Sequence, residues 1–142
     1  MIVRAREKSR LTVKELNIGD GFLTHEQVAT AAAGTPYVFI QAEVSTGKTQ
    51  VASAFAARTD RVFGIVPYVS LATNLADRLG DCEPYYSADY DDEPGPRVVS
   101  TVNSTHRFSR AEPYGLVVVD EVTAIFNAVA TGGHISCDER LP

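Results

Sequence analysis

Two short stretches of this 142-residue chain carry residue types at spacings suited to chemistry on phosphates. The first is Ala42-Glu43-Val44-Ser45-Thr46-Gly47-Lys48-Thr49, followed by Gln50, which fits the pattern GxxxxGK[ST] with Ala42 in place of the first glycine. In that pattern a strand-to-helix turn converges backbone N–H groups on phosphate oxygens at the positive end of a helix. Lys48 then reaches the β and γ phosphates of a nucleotide, and the Thr49 hydroxyl ligates Mg2+. The second stretch is Val117-Val118-Val119-Asp120-Glu121, an apolar run that delivers two carboxylates at its C-terminal end. In an open parallel sheet that is the end at which ligands bind. Asp120 is expected to hold Mg2+ through water, and Glu121 to orient and deprotonate the attacking water. Each stretch also has a plainer reading, a small-residue turn in the first case and acids opening a helix in the second. Their pairing, about 70 residues apart with a strand before each, favours the catalytic one.

Those residues need elements to position them. Tyr37 to Gln41 is a short apolar run of the kind found in buried strands, and it leads into the glycine–lysine turn. The alanine-rich residues 50–58 then read as a helix. Further strands are expected at Arg61–Val66, Arg97–Val102 and Leu116–Val119. Leu71, Leu75 and Leu79 mark the buried face of a helix over Ser70–Leu79, and residues 104–108 and 121–130 read as helical. Thr24-His25-Glu26-Gln27 has capping-box spacing and predicts a helix from His25 to about Ala33. Apolar strands alternating with helices predict an α/β fold, a parallel sheet with helices on both faces. Residues 1–34 form a lead-in with a basic start, and 35–142 the nucleotide-binding domain.

With 44% hydrophobic residues the chain has enough for one core, and it is neither disordered nor a multidomain machine. No apolar run approaches a membrane span and the N-terminus lacks the apolar core of a signal peptide, so a cytoplasmic protein is expected. Cys82 and Cys137 read as reduced thiols. The net charge of −5 belongs to one segment: residues 81–96 hold six acids and no base, while the other 126 residues hold 12 acids and 13 bases. The acidity therefore does not exclude a nucleic-acid partner. Residues 81–96 read as a solvated insertion, and one further reading is a nucleic-acid mimic that covers basic residues.

Four blocks in order, 42–49, Val66–Leu79, Ser100–Phe108 and Val117–Thr123, resemble motifs I, Ia, Ib and II of superfamily 2 helicases, in particular the viral and phage replication-origin-binding helicases. The resemblance spans roughly residues 35–130. It implies a P-loop NTPase (RecA-like) fold of three layers, ATP and Mg2+ as cofactors, and single-stranded or forked DNA as a partner. It further implies strand contacts from Pro67, Ser70, Thr73, Asn74 and Arg78 in the second block and from Ser104, His106 and Arg107 in the third. Hydroxyls, amides and guanidinium at strand ends suit phosphate-backbone contacts; Asn74 and Arg78 also read simply as a solvated helix face. The chain departs from the family at Ser45, where glycine is common, and it ends 21 residues after Glu121. The coupling motif and a second RecA-like domain are expected beyond that point, and only His134–Cys137 remains to supply a central strand. The expectation is an incomplete domain, truncated on its C-terminal side, completed by that second domain or by a replication protein in trans. A helicase-loader or remodelling ATPase, and a catalytically inactive remnant serving as an interaction module, are the alternatives.

Overall fold

Three apolar, β-branched runs, Val62–Val66, Arg97–Thr101 and Leu116–Val119, become parallel neighbours, the first two covered on both faces and the third, at the edge, leaving Val117 and Val119 exposed. The computed structural model describes residues 2–7, 10–16, 21–41, 43, 45–85, 94–108 and 112–130. Its elements are β1 (Ile2–Glu7), β2 (Arg10–Glu15), α1 (His25–Ala32), β3 (Val38–Gln41), α2 (Lys48–Ala56), β4 (Val62–Val66), α3 (Val69–Leu79), β5 (Glu83–Pro84), β6 (Arg97–Thr101), β7 (Leu116–Val119) and α4 (Val122–Ala130). A 3-10 segment, Val102–Phe108, follows β6. The chain forms two compact units, Met1–Phe55 and Ala56–Pro142.

The second unit holds a four-stranded, all-parallel sheet in the order β5-β6-β4-β7, flanked by helices. β4 alternates cleanly. Phe63 and Ile65 join Tyr85, Val98 and Phe108 in one aromatic-rich cluster, with the Phe63 and Phe108 rings 4.5 Å apart. On the other face Gly64 leaves room for its neighbours: a Cβ there would lie 2.8 Å from a Val99 methyl and 3.2 Å from one of Leu75. α3 covers that face with Ala72, Leu75, Ala76 and Leu79, so its buried stripe runs at i, i+3, i+4, i+7 and the expected Leu71 is only half-buried.

The N-terminal ends of these strands are tied by two arginines. Arg97 donates to the carbonyls of Ala56 (3.1 Å), Thr59 (2.6 Å), Leu79 (3.2 Å) and Gly80 (2.8 Å). It thereby satisfies carbonyls at helix ends that have no ladder partner of their own. Arg61 donates to the Pro113 and Glu112 carbonyls, both at 3.2 Å, and lies 5.0 Å from the Tyr114 ring centroid. Burial raises the Tyr114 hydroxyl above its ordinary pKa, and it raises the Cys82 thiol too, there partly opposed by Arg97.

The first unit corrects the expectation of a single parallel sheet. β3, the strand before the glycine–lysine turn, pairs antiparallel with β1, and β1 pairs antiparallel with β2, giving the order β2-β1-β3. The physical reason is the N-terminal hairpin, whose β1 offers β3 four consecutive register partners from Ile2 to Ala5. Residues 1–34 are therefore more than a helix and a basic start. Helix α1 has the expected capping box, Thr24 Oγ1 accepting from the Gln27 N–H and Gln27 Oε1 from the Thr24 N–H. Leu23, Val28 and Val51 form this unit's core, with Leu16, Ile40 and Phe55 packed against it. The expected strand at His134–Cys137, the Cys137 thiol and residues 86–93 of the acidic segment lie outside the described residues. Among the described residues no helix is long and apolar enough to cross a membrane.

Candidate functional site

In the first unit the turn from β3 to α2 is built from local hydrogen bonds. Thr46 Oγ1 donates to the Glu43 carbonyl at 2.9 Å, and Lys48 Nζ reaches back to the same carbonyl at 2.6 Å. The lysine ammonium therefore lies across the mouth of the turn. Ser45 and Gly47 both take positive φ, 65° and 88°. Alternating handedness of this kind turns successive backbone N–H groups toward one side and makes a concavity for anions. Helix α2 begins at Lys48, and the bond from Val51 N–H to the Gly47 carbonyl (3.0 Å) leaves the amides of Lys48, Thr49 and Gln50 ahead of the helical ladder.

Ser45 is the position where the resembled family commonly has glycine, and its φ of 65° shows why glycine suits it. A serine held there costs about 1–2 kcal/mol. Gly47 is required on two counts. Its φ is left-handed, and a Cβ would meet Phe22 Cβ at 3.3 Å and the Leu23 carbonyl at 3.4 Å. Residues 22 and 23 run along the turn, with Leu23 N–H donating to the Thr46 carbonyl at 2.9 Å. The sequence reading missed that support, because the Thr24–Gln27 capping box marks where α1 starts and not what the residues before it lie against. Ala42 and Val44 lie outside the described residues.

In the second unit the other candidates gather where the parallel strands end. Asp120 continues the ladder of β7, its N–H donating to the Ile65 carbonyl at 3.0 Å, and its Oδ1 accepts from the Glu121 N–H at 3.0 Å. Glu121 has φ 52°, a left-handed conformation, and its carbonyl accepts from Ala124 and Ile125 to start α4. Beside them, after β4, Pro67 is fully buried and turns the chain, so the exposed contacts of that block fall to Ser70, Thr73 and Asn74 on the first turns of α3. Arg78 sits eight residues beyond Ser70 on the same helix. At 1.5 Å per residue it is about 12 Å along the axis, toward the opposite end of the sheet.

After β6, Ser104 accepts from Thr101 Oγ1 at 3.4 Å. His106 Nδ1 is 3.0 Å from the Asn103 carbonyl, an arrangement that requires the proton on Nδ1. Arg107 is exposed, with its guanidinium 6.0 Å from the Tyr85 ring centroid. The rim is polarised: carboxylates at the end of β7, neutral hydroxyls and amides after β4, and His106 and Arg107 after β6. Among the described residues no three His, Cys, Asp or Glu side chains gather into a metal cage.

Comparison with protein-family models, curated proteins and solved structures finds no match for this chain.

Proposed function

We propose that the chain is the ATP-binding N-terminal half of a DNA helicase or translocase that acts in the cytoplasm, in the replication of a phage, virus or mobile element. The observation that carries this reading is the turn before α2: positive φ at Ser45 and Gly47, with Lys48 folded over the turn's mouth. The parallel sheet, with Asp120 and Glu121 at its ligand-binding end, is compatible with a RecA-like fold and supports the same reading.

The turn's amides and Lys48 would bind the phosphates of ATP, and the Thr49 hydroxyl and Asp120 are the groups that would hold Mg2+. When bound, Mg2+ would neutralise charge on the phosphates and activate the γ-phosphoryl group toward attack. Glu121 orients a water and takes its proton as it attacks. Ser70, Thr73, Asn74, Ser104, His106 and Arg107 meet a single-stranded or forked DNA, with Pro67 shaping the turn beneath them and Arg78 further along α3. A second RecA-like domain or a replication protein in trans completes the machine. An arginine supplied that way is worth several orders of magnitude in rate, so this chain alone hydrolyses ATP slowly. Titrating a fluorescent ATP analogue against wild type and Lys48→Ala tests the reading: a loss of at least tenfold in affinity is expected, and equal affinity overturns it.

A further inference from the structure

Tyr68 is the residue of the sheet's rim that neither packing nor capping explains. It stands at the N-cap of α3, where Ser, Thr, Asp or Asn normally satisfies a free amide, and its side chain makes no capping hydrogen bond. Its side chain is 46% exposed. Among the described residues neither its ring nor its hydroxyl has a hydrogen-bond or ring partner. The other ring-bearing residues nearby behave differently. Phe63, Tyr85 and Phe108 are buried in one cluster, with Tyr114 packed against it.

The position is specific. β4 and β6 are parallel and their last register pair is Val66 with Thr101, so Tyr68 and Asn103 each stand two residues past it, at the same end of the sheet. Residues 67–76 carry no charge, and residues 102–108 carry His106 and Arg107 without a carboxylate. Asp120 and Glu121 lie on the far side of β4, at the end of β7. A polyanion is therefore attracted to the β6 side of Tyr68 and repelled from the β7 side. An exposed ring beside hydroxyl, amide and cationic groups is the combination that binds unpaired nucleotides, the backbone through charge and the base through its π face.

We propose that Tyr68 is a stacking platform for one unpaired base, so that the rim binds single-stranded nucleic acid in preference to duplex and with little sequence discrimination. This rests on the strand-binding reading of the rim given above. The test uses the whole chain and a thymidine-rich oligodeoxynucleotide carrying one 2-aminopurine, with binding followed by anisotropy and stacking by quenching of the 2-aminopurine. Tyr68→Ala is expected to weaken binding about 5- to 150-fold and to abolish the quenching. The slope of log affinity against log salt should stay unchanged, because no phosphate contact is removed. Tyr68→Phe should retain both affinity and quenching, and a duplex of the same sequence should bind wild type and Tyr68→Ala equally. Wild-type affinity in Tyr68→Ala, or a loss in Tyr68→Phe as large as in Tyr68→Ala, overturns stacking while leaving the strand-binding reading in place. No single-strand binding by wild type overturns both, and the ATP-analogue titration remains a separate measure of the nucleotide site.

Discussion

The two ends of the four-stranded parallel sheet are built on opposite principles. At the end where the strands begin, Arg97 and Arg61 spend their guanidinium N–H groups on backbone carbonyls, closing off the helix end before Gly80 and the loop at residues 112–113. At the end where the strands finish, side chains are left to solvent: Glu121 in a left-handed conformation, and Tyr68, Ser70 and His106 exposed. The arginine end is held by side-chain to backbone hydrogen bonds that join the ends of neighbouring elements in the second unit. Left-handed backbone occurs at both ends, at Asp81 (φ 51°) just beyond α3 and at Glu121 (φ 52°) just before α4; what separates them is that the candidate functional side chains, Arg78 apart, stand only at the second.

That contrast breaks most readily at Arg97. Arg97→Met keeps much of the aliphatic stem but removes all its hydrogen bonds, including those to Thr59, Leu79 and Gly80, while the Ala56 carbonyl keeps its bond from the Thr59 N–H. The expected loss is about 3 kcal/mol or more, read as a fall in the urea midpoint. By contrast the ion pair of Arg61 with Glu112, 3.3 Å long with an 82% exposed carboxylate, adds little. The rim should respond in the opposite direction. Glu121→Gly relieves a left-handed φ of 52° and is expected to raise stability by up to about 1 kcal/mol in the same assay, at the expense of ATP hydrolysis. A rim substitution that destabilised as much as Arg97→Met would erase the distinction.

How much of this was legible in the sequence follows from what each signal encodes. The apolar run at Val62–Val66 was visible as a strand because burial on both faces demands continuous apolar residues, whereas Leu116–Val119 was visible from its β-branched valines, two of which, Val117 and Val119, are exposed. The α1 capping box was visible because its two hydrogen bonds need particular residues three apart. Pairing partners are another matter. The run at Val38–Gln41 signals a strand but not its neighbour, and the β1–β2 hairpin alternates apolar residues with arginine, lysine and threonine, which reads as a basic leader. Within the candidate site, the glycine–lysine–threonine turn and the Asp120–Glu121 pair could be read from types and spacing. The burial of Pro67, the distance of Arg78 from the rim and the isolation of the Tyr68 ring could not, because each depends on which way α3 leaves the sheet.

The central claim is that this chain binds a nucleotide with its metal. The most direct measurement is calorimetric titration of ATP, with and without Mg2+, into wild type and Asp120→Asn. ATP should bind wild type several-fold more tightly when Mg2+ is present, and Asp120→Asn should lose most of that enhancement while keeping its metal-free affinity. Absence of ATP binding by wild type, or an Mg2+ enhancement that survives in Asp120→Asn, would contradict the assignment of Asp120 to the metal.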